Sequence, residues 1–168
     1  MTGCIAFRMP EVRQLDIGRL RHFRRTATGV LRKVAEGDRL WIREPYFLEQ
    51  GFNGHKPTSA DILGARPTFL NEVAYASAPR HLGVPRYARE LLRDWHRRHL
   101  LVRDVRREPL QSIEQGDLEE LGYPSRDAFA AQWDRGTKGI TGAQKDSWAA
   151  NPVVLRVTFE LIDHPVSG

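Results

Sequence analysis

Alternation of apolar and polar positions predicts the strands of this chain. In "GDRLWIRE", Leu40 and Ile42 point to one side, and Trp41 and Arg43 point to the other. This period of two is typical of a half-buried strand. The stretch "VVLRVTFELI" at 153–162 alternates in the same way and predicts a long final strand. The run "CIAF" predicts a first strand, and "LLVRDV" predicts a further strand with one irregular step that indicates a β-bulge.

Helical spacing and end signals predict the first helices. Pro10 suits the first turn of a helix, and Gly18 suits its end. The stretch "VPRYARELLRDWHRRH" at 84–99 predicts a second helix, because its apolar residues recur at helical spacing. This buried stripe comprises Tyr87, Leu91, Leu92 and Trp95.

Capping residues predict two more helices in the C-terminal third. A capping-box pattern begins at Ser112, and Gly122 closes the short helix that follows it. Ser125 suits the N-cap of another helix, in which Phe129 and Trp133 lie one turn apart and are expected to be buried.

The order of these elements predicts an α+β fold. The 168 residues suit a single domain spanning 1–168. The strands are few, partly alternating and not arranged as a βαβ repeat, so we expect a small mixed or antiparallel β-barrel with flanking helices. Residues 46–80, rich in Gly, Pro and Asn, predict an insertion with one short helix that begins at Ser59.

Positive charge is concentrated in two segments. The net charge is +5, and 22 of the 26 basic residues are arginine. Residues 1–45 sum to +5 and residues 80–107 to +6, whereas residues 108–168 sum to −5. Arginine pairs with phosphate through a planar fork, so this bias favours nucleic acid as a partner. GC-rich coding would also raise the arginine content, and the acidic third of the chain could neutralise the basic segments internally.

Three groups of residues are candidates for nucleic-acid binding. The first lies in "GRLRHFRR" and would clamp phosphates, the second forms one face of the "WIRE" strand, and the third forms a basic ridge on the helix predicted over 84–99. The alternative for each group is an ordinary solvated surface or an internal ion pair. The candidates are Arg19, Arg21, Arg24, Arg25, Trp41, Arg43, Arg86, Arg93 and Arg97.

The sequence predicts no metal, no cofactor and no membrane partner. His96 and His99 lie three residues apart, but no cysteine or carboxylate cluster accompanies them. No apolar run is long enough for a membrane helix, and the N-terminal residues lack the features of a signal peptide. The single cysteine, Cys4, fits a reducing compartment, so we expect a cytoplasmic protein. No catalytic set stands out at a recognisable spacing.

Four blocks of the sequence occur in an order typical of one family. They are a helix followed by Gly-Arg and a basic stretch, "GDRLWIRE", "RRHLLVRDVRREPLQSI" with "LEELGYPSRDAFAAQW", and "SWAANPVVLRVTFELI". Together they resemble the ASCH domain of the PUA-like superfamily, most of all its phage- and prophage-associated branch. The resemblance implies a β-barrel whose cleft handles RNA or modified nucleosides. It also places Gly18, Arg19, Arg24 and Arg25 on the signature segment of the family.

The resemblance also bears on catalysis. Family members that hydrolyse modified nucleosides are thought to use a lysine, a threonine and a glutamate. Here Leu20 and Phe23 stand where the lysine and threonine are expected, and Glu120 is the nearest match to the glutamate. Neither apolar side chain can act as a base or a nucleophile.

We therefore predict a protein that binds RNA or single-stranded nucleic acid through an arginine-rich cleft. One alternative is a hydrolase on the same fold, either a ribonuclease or a modified-nucleoside amidohydrolase. The other is an adaptor whose basic face binds an acidic protein.

Overall fold

The computed structural model describes residues 2–69, 81–137 and 143–163. It confirms an α+β fold. The strands are β1 (Thr2–Ala6), β2 (His22–Arg25), β3 (Arg39–Arg43), β4 (Tyr46–Phe47), β5 (Thr68–Phe69), β6 (Arg98–Pro109) and β7 (Val153–Asp163). The α-helices are α1 (Met9–Asp16), α2 (Pro57–Ile62), α3 (Gln115–Leu121) and α4 (Arg126–Thr137).

Five strands form one mixed sheet in the order β1-β3-β6-β7-β2. The β1–β3 pair is parallel, and the other three pairs are antiparallel. The predicted irregular step in β6 is confirmed as a register shift between Val102 and Asp104. This topology leaves β1 and β2 as the two edges of the sheet.

The two edge strands approach each other without pairing. The Arg25 side chain donates a hydrogen bond from Nη2 to the carbonyl oxygen of Ala6 at 3.0 Å. Beside this bond, the rings of Phe7 and Phe23 meet edge to face with 5.7 Å between centroids. No backbone ladder joins β1 to β2 in the described ranges, so the sheet is open there and a closed barrel stays a prediction. We call this junction the seam.

The main core combines side chains of the five-stranded sheet with those of α1, α3 and α4. It contains the aromatic trio Phe7, Phe23 and Phe159, whose ring centroids lie 5.7–6.0 Å apart. Val12 and Leu15 pack α1 against this core at helical spacing. Seam, α1 and core therefore form one packed unit, which fixes the positions of the strand ends.

A second apolar cluster lies within the predicted insertion. Tyr46, Leu48 and Phe69 come from the segment that contains β4, α2 and β5, and they pack with Leu91 and Trp95. The segment 46–69 is therefore folded, with a small core of its own. Residues 70–80, the rest of the predicted insertion, lie outside the described residues.

The prediction of a helix over 84–99 is wrong. The chain there forms two 3₁₀ turns, Ala88–Glu90 and Arg93–Trp95, with extended backbone between them. Leu91 and Trp95 reach the second cluster from this irregular segment, so tertiary packing overrides the helical spacing. Tyr87, expected in the buried stripe, is 69% exposed.

Two predicted helix starts are also wrong. Helix α2 begins at Pro57 and not at Ser59, since proline is well suited to the first helical position. The N-cap of α3 is Glu114 and not Ser112. The Asp117 carboxylate accepts the backbone N–H of Glu114 at 3.3 Å, which satisfies a free donor at this helix end.

The other end signals are confirmed. Gly122 follows α3 with a φ of 81°, a left-handed conformation that favours glycine. The Ser125 hydroxyl accepts the backbone N–H of Ala128 at 3.1 Å and caps α4. Across the described ranges, no helix is both long enough and apolar enough to cross a bilayer.

Candidate nucleic-acid interface

A cleft of about 410 Å³ opens at the seam, where β1 and β2 end beside α4. Its walls come from the ends of these strands, from α1, from the end of α3, from α4 and from the first 3₁₀ turn of the irregular segment. The lining includes Phe7, Arg8, Glu11, Arg24, Arg25, Tyr87, Arg89, Leu121, Tyr123, Phe129, Gln132 and Trp133.

Aromatic rings form much of the apolar wall. Phe129 packs edge to face on Tyr123 with 5.2 Å between centroids, and Trp133 lies 6.1 Å from Phe129. The Trp133 indole is held by a 2.7 Å hydrogen bond from its Nε1 to the carbonyl oxygen of Asp146. Burial, with a contribution from the Glu11 carboxylate, raises the pKa of Tyr123 to about 12. Its phenol therefore stays protonated at neutral pH.

Arg25 and Glu11 form a clamp across the seam. The guanidinium donates from Nη1 to Oε1 and from Nη2 to Oε2 of Glu11, both at 2.9 Å. The backbone N–H of Arg8 adds a third bond to Glu11 at 3.0 Å. The clamp neutralises the charge of Arg25, so this arginine stabilises the seam.

Arg8 and Arg89 supply the remaining positive charge at the cleft. Arg8 is exposed and donates to the carbonyl oxygen of Gln132 on α4 at 2.9 Å. Arg89 is exposed, and its guanidinium lies 4.9 Å from the ring centroid of Tyr87. Neither arginine pairs with a carboxylate of the described residues. A cation and an exposed aromatic ring thus lie side by side on the cleft wall.

Residues 86–90, which we call the strap, carry Tyr87 and Arg89. The backbone of Arg86 donates to the carbonyl oxygen of Tyr46 at 2.7 Å. Arg43 donates from Nη1 to the carbonyl oxygen of Arg89 at 3.1 Å. The Tyr46 hydroxyl donates to the carbonyl oxygen of Glu90 at 3.2 Å. The second cluster therefore holds the strap in place through β3 and β4.

The arginines predicted in "GRLRHFRR" lie in different environments. Arg19 and Arg21 are exposed in the loop between α1 and β2 and do not line the cleft. Arg24 and Arg25 line it, but both are ion-paired. Arg24 is 2% exposed, and it pairs with Glu108 and Asp117 at 2.7 Å each.

The predicted "WIRE" residues support the strap and do not line the cleft. Trp41 is buried, with its ring 5.3 Å from the imidazole of His96. The Arg43 guanidinium lies 4.7 Å from the Trp41 centroid, and its Nη1 reaches the strap as described. Arg43 therefore helps to position the strap, and Trp41 packs against its guanidinium.

The ridge predicted on the helix over 84–99 does not form, because that helix is absent. Arg86 donates from Nη2 to the carbonyl oxygen of Phe52 at 2.7 Å. Arg97 pairs with the buried carboxylate of Glu44 at 2.8 Å, and Arg93 is exposed. None of these three predicted residues lines the cleft.

A buried polar network joins β2 to α3. His22, 1% exposed, has its Nδ1 2.6 Å from Oε2 of Glu120 and its Nε2 2.7 Å from Nη1 of Arg24. Because a guanidinium can only donate, Nε2 accepts and Nδ1–H donates to Glu120. His22 is therefore neutral. Asp117 completes the network by accepting from Arg24 and from Arg156.

The network makes stability depend on pH. Burial and the neighbouring Arg24 lower the pKa of His22 below its usual value of 6.5. As pH falls below about 6.5, the unfolded chain therefore binds more protons than the folded one, and the free energy of unfolding decreases. Burial raises the pKa of Asp117, but Arg24 and the backbone N–H of Glu114 together outweigh it and hold the pKa of that carboxyl below its usual value of 3.8. Asp117 therefore adds a loss of stability only in stronger acid.

We expect His22→Gln to reduce the loss of stability between pH 7.5 and 5.5. A glutamine can donate to Glu120 and accept from Arg24 but does not titrate. Urea unfolding at three pH values measures the slope for both proteins. His55→Gln, at an exposed position, is the matched control. An unchanged slope in His22→Gln would show that His22 is not the group responsible.

The positions that matter for hydrolysis carry no reactive group near the cleft. Leu20 and Phe23, where the resemblance expects lysine and threonine, are buried in the main core. Glu120 is bonded to His22 and does not line the cleft.

Sequence reasoning missed several residues of the cleft. Arg8 lies in the two-residue turn between β1 and α1, and this position is the available signal. The helical spacing predicts Tyr87 in a buried stripe and Arg89 on the basic ridge, whereas their place on the cleft wall depends on contacts with the distant second cluster. Glu11 gave no local signal, because its partner Arg25 lies 14 residues away.

Comparison with family models, with curated proteins and with solved structures found no match.

Proposed function

We propose that this chain is a nucleic-acid-binding protein of the ASCH type and that it takes one base of RNA or single-stranded DNA into the cleft. The PUA-like barrel belongs to the same proposal, and the approach of β1 and β2 at the seam supports it. A cytoplasmic location belongs to it as well, since the sole cysteine has no partner for an internal disulfide.

One observation carries the proposal: Tyr87 and Arg89 lie side by side, exposed, on the wall of an aromatic cleft. Aromatic rings stack on bases of any sequence, and a nearby arginine pairs with the phosphate of the same strand. The cleft volume of about 410 Å³ falls in the range of small-ligand sites, about 300–1,000 Å³. A duplex keeps its bases stacked, so a single strand is the better partner.

The charge of the site also favours a polyanion. Arg25 and Arg24 are neutralised by carboxylates, whereas Arg8 and Arg89 are not paired within the described ranges. Two unpaired cations predict a modest number of phosphate contacts. We therefore expect a salt dependence much weaker than the net charge of the whole chain would suggest.

We expect fluorescein-labelled single-stranded RNA and DNA to bind more tightly than duplex DNA of the same length. Tyr87→Ala should weaken single-strand binding by about 5- to 150-fold, the range that the loss of one stacked base implies. Tyr87→Phe should retain most of the affinity. Fluorescence anisotropy measures these constants, and recovery of intact oligonucleotide on a gel separates binding from ribonuclease activity.

The salt dependence provides a second readout. Arg89→Ala should reduce the slope of log K against log salt by about 0.7. Arg93→Ala removes an exposed arginine close in sequence that does not line the cleft, and it should leave the slope nearly unchanged. Equal effects of both variants would contradict the proposed site, and capture of an acidic protein without nucleic-acid binding would favour the adaptor.

A further inference from the structure

His96 and His99 face each other where the 3₁₀ turn Arg93–Trp95 leads into β6. Their Nε2 atoms are 3.1 Å apart, and the rings are perpendicular with 4.5 Å between centroids. The Nδ1 of His96 is hydrogen-bonded to the carbonyl oxygen of Arg93. The pair lies outside the lining of the cleft and has no part in the proposed function.

We propose that His96 and His99 form a binding site for a late first-row divalent transition ion such as Zn²⁺, Ni²⁺ or Cu²⁺. Imidazole nitrogens bind these ions at about 2.0–2.1 Å. An ion at that distance from two nitrogens 3.1 Å apart subtends an angle of about 95–102°. This angle lies between the square-planar and the tetrahedral values, so the spacing of the two nitrogens suits one shared ion once the rings rotate to turn their lone pairs from each other toward it.

The hydrogen bond to Arg93 prepares His96 for coordination. A carbonyl oxygen accepts the Nδ1–H, which fixes the tautomer and leaves the lone pair on Nε2. The same outer-shell bond is the usual support of a metal-binding histidine. Without an ion, His99 donates its Nε2–H to that lone pair. On coordination, the proton of His99 moves to Nδ1 and both imidazoles stay neutral.

The surroundings hold both rings in place. The Trp41 ring packs on His96 at 5.3 Å. His99 lies within β6, with Trp41 opposite it on β3 and Ile162 opposite it on β7. A backbone paired on both sides limits the movement of His99, so the two nitrogens are largely pre-organised.

The neighbouring arginines do not dominate the local charge. Arg97 pairs with Glu44 at 2.8 Å, and Arg98 pairs with Asp16 and also lies 3.4 Å from Glu44. Their charges are thus offset by carboxylates. No group of three or more potential ligands occurs among residues 2–69, 81–137 and 143–163. Within these ranges the site thus has two protein ligands, His96 and His99.

The test is titration of the untagged full chain with NiCl₂ and with ZnCl₂ by calorimetry. We expect one site per chain, with affinity reduced by at least about tenfold in His96→Gln and in His99→Gln. His55→Gln is the matched control and should bind as the parent protein does. Circular dichroism shows whether each variant is folded.

A spectroscopic readout on the unaltered protein makes the test independent of the variants. One equivalent of CuCl₂ should give an electron paramagnetic resonance spectrum with hyperfine structure from two imidazole nitrogens. Absence of binding up to 1 mM ion, or equal binding by both His→Gln variants and the parent, would overturn the site. Failure of nucleic-acid binding would not affect it.

Discussion

Arg24→Ala should lower the free energy of unfolding by about 3–5 kcal/mol, the usual cost of removing one partner of a buried ion pair. Each guanidinium nitrogen of Arg24 has a partner: Nε donates to Glu108, Nη1 to His22 and Nη2 to Asp117, all at 2.7 Å. Truncation removes the cation paired with Glu108 and leaves Asp117 with Arg156 alone, at 3.1 Å. It also leaves the Nε2 of His22 without its donor.

Urea unfolding at pH 7.5 measures this loss. Arg19→Ala removes an exposed arginine a few residues away and should change the stability by no more than about 0.5 kcal/mol. If Arg24→Ala instead keeps its stability but binds single-stranded RNA much more weakly, Arg24 is a phosphate ligand, as the sequence alone predicts. The two measurements on one variant therefore decide between a structural and a binding role.

Phe23→Ala should lower the free energy of unfolding by about 3–5 kcal/mol, since it empties a fully buried aromatic site. Its ring meets Phe7 at 5.7 Å and Phe159 at 5.9 Å, and the Arg25 guanidinium lies 5.6 Å from its centroid. Loss of the ring removes packing from the core and from the arginine of the seam at the same time.

Phe23→Leu is the matched control and should cost much less, because it keeps most of the apolar volume. Urea unfolding of both variants gives the comparison. Nearly equal losses, both below about 1 kcal/mol, would show that the aromatic trio is not closely packed.

Position 23 also bears on the hydrolase alternative. A threonine at this position would bury its hydroxyl in the core, far from any solvent.

The elements that the sequence predicts well are those defined by neighbouring residues. The strands β3 and β7, the irregular step in β6 and the end signals at Gly122 and Ser125 all depend on a few consecutive positions, although β3 buries Trp41 as well as Leu40 and Ile42 and is not half-buried as its alternation predicts. These are confirmed because nothing distant competes with the local preference. The α+β class follows from the order of such elements.

The rest depends on partners that are far apart in the chain. The segment 84–99 has helical spacing, but Leu91 and Trp95 pack against the segment 46–69. The local sequence pattern does not predict this long-range contact. The buried network joins residues of β2 to α3 across 93–98 positions. For the same reason, a dense run of arginines predicts basicity correctly but does not tell which of them are already paired.

The seam joins β1 to β2 through side chains. The strand ends are joined there by Arg25, through Ala6 and Glu11, and by the contact of Phe7 with Phe23, and a backbone ladder is absent from the described part of this junction. A substitution at one of these side chains therefore weakens the junction directly. Elsewhere in the sheet, neighbouring strands are also held by backbone hydrogen bonds, which substitutions other than proline leave in place.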